Sequence, residues 1–221
     1  MKNAIVTGSS KGVGYATVQR LLSDGYHVIA ISRNLSKVET IQSDNLETYA
    51  LDITDFNGIK KFYEKYKDIT LDLLVHNAGG GSSPTDIINE KPENFKIAYD
   101  INVVGPMYMS QLFVPNMHKS ESPTIIFINS LSGKYPYRSG GNYTNAKRGQ
   151  RGLIETMRIE FPSFNIKVTE ISPGTIDTQV EKREIAVTAE DMAEAISWVA
   201  SLPPHVNINQ IEINHIKSHK F

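Results

Sequence analysis

Near its N-terminus the chain runs Asn3-Ala4-Ile5-Val6-Thr7-Gly8-Ser9-Ser10-Lys11-Gly12-Val13-Gly14. A short apolar run of strand character enters a glycine loop, and Val18, Leu21 and Leu22 behind it fall at helical spacing. Strand, glycine loop and helix in that order form the setting that a dinucleotide site requires. Glycines let the backbone turn tightly and approach phosphates closely. The helix behind them presents unpaired N–H groups and the positive end of its dipole. A glycine cluster alone signals only a turn; its place between a strand and a helix makes it a phosphate candidate.

The same alternation continues outward from this loop. Strand-like runs stand at Asn3–Val6, His27–Ile31, Leu46–Leu51, Leu71–Val75, Thr124–Ile128, Lys167–Ile171 and Ile208–Ile213, with helical stretches between most of them. Buried parallel strands read as continuous apolar runs, and Thr124-Ile125-Ile126-Phe127-Ile128 is one. The pattern predicts an α/β fold, a parallel sheet with helices on both faces. The last helix is the clearest. Thr188 is its expected N-cap, with Asp191 three residues on, and Met192, Ala195, Ile196 and Val199 form one apolar stripe that ends at Pro203-Pro204. No repeat, low-complexity tract or linker interrupts the 221 residues, so one domain over 1–221 is expected.

Composition narrows the function classes. A net charge of -1 gives no global electrostatic reason to bind nucleic acid or an anionic membrane. The absence of cysteine excludes disulfides, thiolate metal sites and cysteine nucleophiles, and fits a reducing, cytoplasmic setting. No apolar run approaches the roughly 18–20 residues that a membrane helix needs, and no signal core fits the N-terminus. His215 and His219 lie at metal-pair spacing but have no further ligands around them.

The second strand ends Ile31-Ser32-Arg33-Asn34. An NAD site usually places a carboxylate near this point to accept from the ribose 2′-OH. Here a guanidinium stands instead. It can bind a 2′-phosphate through paired charge-assisted hydrogen bonds, with Lys11 as a second cation. The alternative for both residues is a solvated surface charge. The reading favours NADP(H).

A second constellation lies farther along. Ser130 follows the fifth strand, and Tyr143 and Lys147 stand one helical turn apart on one face. Hydride transfer to a carbonyl builds charge on oxygen, which needs a proton donor and a positioned hydrogen bond. A phenol with an ordinary pKa near 10 exchanges too reluctantly at neutral pH, and a nearby ammonium lowers that value. Lys147 is therefore expected to activate Tyr143, and Ser130 to orient the carbonyl.

The pattern Thr7-Gly8-x-x-x-Gly12-x-Gly14, together with Ser130, Tyr143 and Lys147 at these spacings, resembles the short-chain dehydrogenase/reductase family. The resemblance runs from Val6 to Thr178 and implies a Rossmann-like doubly wound sheet of about seven strands. It implies cofactor contacts from Gly8, Ser10, Gly12, Val13 and Gly14. It also implies that Asp52 and Ile53 border the adenine, Asp52 having a helix-capping alternative. Asn77, Ala78 and Gly79 would border the adenosine. Pro173, Gly174, Ile176 and Thr178 would shape and hold the nicotinamide end, and Tyr143 and Lys147 the nicotinamide ribose. Asn102 would hold a water that relays protons from Lys147. His76 departs from the family's usual asparagine and puts the hydrogen bonds made there in question. Only Gln179–Val187 separate Thr178 from the last helix, which implies a short lid. The chain's end is similar to the subgroup containing 3-hydroxy acid (serine) dehydrogenases and carbonyl reductases. The implied activity is hydride exchange between NADP(H) and a small ketone or secondary alcohol, with a 3-hydroxy acid first among candidates. Arg138 is a candidate for a substrate carboxylate, though a plain loop charge is the stronger reading. The resemblance also implies a homodimer or homotetramer formed through helices around Phe95–Met117 and Gly141–Phe161. A non-catalytic NADP(H)-sensing module is the alternative, but it would need neither Ser130, Tyr143 nor Lys147. An NADP-dependent epimerase usually needs a larger substrate domain than this chain offers.

Overall fold

The computed structural model describes residues 1–177 and 185–218. Seven strands form one sheet. They are β1 (Asn3–Thr7), β2 (His27–Ser32), β3 (Leu46–Ala50), β4 (Leu73–His76), β5 (Thr124–Ile128), β6 (Lys167–Pro173) and, at the end of the chain, β9 (Gln210–Ile213). Their order is β3-β2-β1-β4-β5-β6-β9, and every pair is parallel. The order reverses between β1 and β4, which opens a crevice above their carboxyl ends. A small parallel pair, β7 (Ile176–Asp177) and β8 (Val187–Thr188), lies outside the main sheet.

Successive side chains of a strand point to opposite faces, and the two cores divide accordingly. On one face, Ala4 and Val6 of β1, Val28 and Ala30 of β2, and Ile126 and Ile128 of β5 meet α1 (Gly12–Ser23) and α6 (Ala189–Ser201). On the other, Ile5, Ile29, Ile31, Ile125 and Phe127 meet three helices. These are α2 (Phe56–Tyr66), α4 (Gly105–Met117) and α5 (Gly141–Glu160). A further helix, α3 (Pro92–Tyr99), runs through a π-helical turn, Asp100–Val104, into α4. All seven predicted strands are present, five of them with the predicted start and two beginning later. The fourth begins at Leu73 and the last at Gln210. The predicted cap of α6 is a full capping box. Asp191 N donates to Thr188 Oγ1 at 3.0 Å, and Thr188 N to Asp191 Oδ2 at 2.9 Å.

His76, the departure at the end of β4, is wholly buried. Its Nε2 shares a 2.8 Å hydrogen bond with Ser110 Oγ of α4, and its ring packs on Phe127. Burial pushes its pKa down from 6.5 to about 3. The folded protein therefore holds His76 neutral where the unfolded chain would protonate it. Its contribution is full above about pH 6.5 and is lost as the pH falls toward 3, by up to about 1.4 kcal/mol per pH unit. Urea unfolding midpoints measured from pH 7 down to pH 5 should fall, and the fall should be shallower in His76→Asn. Equal slopes in the two proteins would show that His76 does not couple protonation to folding.

Candidate active site

Above the carboxyl edge of β1, β4, β5 and β6 lies a cleft of about 800 Å³. Most of the residues singled out in the sequence line it. Gly14, Asn102 and Arg138 do not, and Thr178 lies outside the described residues.

At one end is the glycine loop. Gly8 and Gly12 have φ of 69° and 53°, a region that side chains disfavour. Gly14 serves the loop from beneath, because a Cβ there would overlap the Gly8 carbonyl. Lys11 stands at the N-cap of α1, and no side chain caps that helix. The first-turn N–H groups are thus open toward the cleft, a ready anion site. The loop is tied to the end of β4. Asn77 Nδ2 donates to Thr7 O and Gly8 O, both at 3.0 Å, and Asn77 N and Ala78 N donate to Thr7 Oγ1 at 3.1 and 3.0 Å.

Beyond the loop, Ser32 at the end of β2 and Arg33, Asn34 and Ser36 after it form the wall. Arg33 is 77% exposed, with Nη1 3.7 Å from Asp52 Oδ2. Asp52 Oδ1 accepts from Thr54 N at 2.9 Å and Thr54 Oγ1 at 2.8 Å. Burial pushes the Asp52 carboxyl up, but the Thr54 hydrogen bonds and Arg33 together hold it below the usual range. Asp55 caps α2 by accepting from Gly58 N, so Asp52 is left to face the cleft beside Ile53.

At the other end, β5 delivers Ser130 and α5 delivers Tyr143 and Lys147. Ser130 Oγ accepts from Ser132 N at 3.1 Å, so this serine also caps a turn, and it acts on the Tyr143 phenol. Burial pushes the Tyr143 pKa up, Ser130 works against that, and Tyr137 adds to it. The net shift is upward, so burial outweighs the lowering expected from Lys147. The Lys147 Nζ stands 5.9 Å from the Tyr143 ring centroid and is turned toward β5, donating to Ile128 O at 2.8 Å. Burial also lowers the pKa of Lys147 to about 7, with Glu170 opposing the shift.

Asn102 is buried in the π-helical turn. Its side chain donates to Gly80 O and Ala98 O, both at 2.7 Å, and so anchors the loop after β4. Its main-chain oxygen accepts from Gln150 Nε2 at 2.8 Å. The sequence reading missed Gln150. The signal was a polar residue three positions after Lys147, in the stripe that buries Ala146, Ile154 and Met157. Also missed was Glu170 of β6, 1% exposed, which accepts from Asn129 Nδ2 at 3.0 Å, Arg151 Nη2 at 2.9 Å and Ser172 Oγ at 2.7 Å.

The wall near β6 contains Pro173, Gly174 and Ile176. Gly174 N donates to Ile213 O at 2.9 Å, which ties this turn to β9. The short-lid segment falls mostly outside the described residues. Arg138 does not serve the cleft in this arrangement. It is 90% exposed, with Nη2 3.7 Å from Asp86 Oδ2, as the loop-charge reading expects. Among the described residues no cluster of metal-ligating side chains forms.

Comparison with known proteins agrees with this geometry. Residues 2–188 match the family model described as short chain dehydrogenase. The NADP-dependent 3-hydroxy acid dehydrogenase of Escherichia coli K12 is 29% identical over 230 residues, covering 95% of this chain and 93% of that protein. Serine 3-dehydrogenase of Rhizobium radiobacter is 29% identical over 233 residues, covering 95% and 92%. Among solved structures, serine dehydrogenase from Escherichia coli superimposes with a TM-score of 0.85 at 29% identity, over 96% of each chain. An alcohol dehydrogenase from the archaeon Thermococcus sibiricus reaches 0.90 at 23% identity, over 99% and 98%, a likeness of fold. With the glycine loop, the Tyr143–Lys147 helix and a match across most of its length, this chain belongs to the short-chain dehydrogenase family.

Proposed function

We propose that this protein is an oxidoreductase that exchanges a hydride between NADP(H) and a ketone or secondary alcohol, with 3-hydroxy acids as the first substrate class. One observation carries the reading. A single cleft has an open helix N-terminus at one end and Ser130, Tyr143 and Lys147 at the other. The residues present fit the dinucleotide. The glycine loop offers N–H groups to its diphosphate, Arg33 and Lys11 offer cations at the 2′ position, and Asp52 and Ile53 flank the adenine. The bound dinucleotide supplies the hydride. Ser130 directs its hydroxyl at the carbonyl oxygen, and Tyr143, kept protonated at neutral pH by burial, gives that oxygen its proton. Lys147 orders the floor beneath Tyr143 and, when charged, favours the phenolate left behind. In the oxidative direction Tyr143 takes the proton back.

The preference for 3-hydroxy acids is supported by the names of the relatives. A substrate carboxylate would meet Arg138 only by drawing it away from Asp86. The cysteine-free composition fits a cytoplasmic setting. Exposed Ile97, Tyr99 and Ile159 on α3 and α5 fit self-association through those helices, and light scattering of the purified protein should return a dimer or tetramer mass.

NADPH oxidation followed by absorbance over a panel of 3-keto acids, aldehydes, diketones and cyclic ketones tests the reaction. Tyr143→Phe should lower kcat by about 10²–10⁴-fold and leave NADPH affinity within about twofold. Tight NADPH binding without turnover of any substrate would favour a sensing module instead. Arg33→Ala should weaken NADPH binding about tenfold, roughly one charge-assisted hydrogen bond, and leave NADH binding unchanged. Equal losses for both cofactors would remove Arg33 from the 2′-phosphate site.

A further inference from the structure

Gln150 has no part in the phosphate loop, the ribose wall or the reacting oxygen, yet it is wholly buried beneath the site. Burying a carboxamide is costly unless both its ends are partnered. Both ends are. Oε1 accepts from Lys147 Nζ at 3.1 Å, and Nε2 donates to Asn102 O at 2.8 Å. That carbonyl belongs to the π-helical turn between α3 and α4, an irregularity often found at functional sites.

The lysine's side of the contact is equally constrained. An ammonium has three N–H groups. One goes to Ile128 O at 2.8 Å and one to Gln150, which leaves the third for the cleft that Lys147 lines. Both acceptors are neutral oxygens. The groups facing Lys147 come from every neighbouring element. Tyr143 is on its own helix, and Glu170 is on β6 with Arg151 bound to it at 2.9 Å. The β5 strand presents the Ile128 carbonyl, the loop after β4 presents Gly79, and the π turn presents Asn102.

We propose that Gln150 is a positioning residue, a carboxamide strut that clamps Lys147 to the backbone of Asn102, aims its remaining N–H at the cleft and holds it in the charged form that serves Tyr143. The claim about catalysis rests on the hydride-transfer reading; the claim about Lys147 does not. The physical reason is that a hydrogen bond to the charged form favours that form. Lys147 has lost its water, and burial alone pulls it toward neutrality. Without the Gln150 oxygen it would have one neutral acceptor in place of two.

The test follows the titration of Lys147 in the whole protein by NMR of ¹³Cε-labelled lysine, with the signal assigned by its loss in Lys147→Met. Gln150→Met keeps a long unbranched side chain and removes both hydrogen bonds. It should move the Lys147 midpoint down by about one pH unit, a tenfold change in the dissociation constant. It should also lower kcat about tenfold, with the KM for NADPH within about twofold. Gln150→Glu puts a carboxylate on Nζ and should move the midpoint up, which also serves if Gln150→Met fails to fold. A midpoint that stays at the wild-type value in a folded variant would make Gln150 a packing residue and overturn the proposal. A midpoint that moves in a protein without turnover would keep the strut and reject the hydride-transfer reading.

Discussion

Everything in this molecule hangs from the junction between β1 and β4, where the strand order reverses. Thr7 and Asn77 lock the two strand ends together through four hydrogen bonds of 3.0–3.1 Å. That lock fixes the glycine loop against the sheet, and the loop in turn fixes the start of α1. It also sets where the backbone of Ala78 to Gly80 passes, and Asn102 grips Gly80 from the next helix pair. The two halves of the sheet thereby share one cleft.

The far end of the cleft is governed by desolvation. Burial disfavours charge on Lys147 and on Tyr143 alike, which pulls the lysine pKa down and pushes the tyrosine pKa up. The phenol therefore stores its proton, and the lysine sits close to its own midpoint at neutral pH. Small electrostatic contributions become decisive in that situation. Glu170, neutralised in part by Arg151, leans toward the charged lysine from β6, and the neutral oxygens of Ile128 and Gln150 lean the same way. An exposed lysine would feel none of these strongly, because water would outbid them.

What the sequence revealed and what it hid follow from the range of the interactions. The glycine loop, the seven strands, the capping box at Thr188 and the pairing of Tyr143 with Lys147 are written in residues close together in the chain. They could be read from spacing alone. Ser130 needed the family pattern as well, since thirteen residues separate it from Tyr143. The contacts that escaped reading join distant segments, such as His76 with Ser110, Asn129 with Glu170, and Gln150 with Asn102. Spacing says nothing about these. The net upward shift of the Tyr143 pKa, where Lys147 was expected to bring it down, has a related reason. Helical periodicity placed the two residues on one face but could not show that the amine turns back to the Ile128 carbonyl.

The cleft's walls are drawn from widely separated segments between Gly8 and Ile176, and no short piece of the chain contains them. Parallel strands joined by crossovers must pair across long separations before any part of the cleft exists, and such topologies pay loop-closure entropy before contacts repay it. A dinucleotide seated across β1 and β4 binds only the finished sheet. It acts as a folding ligand, adding about 2.7 kcal/mol to stability when its free concentration is a hundred times Kd. The stability of the fold is thereby linked to the concentration of the molecule it holds.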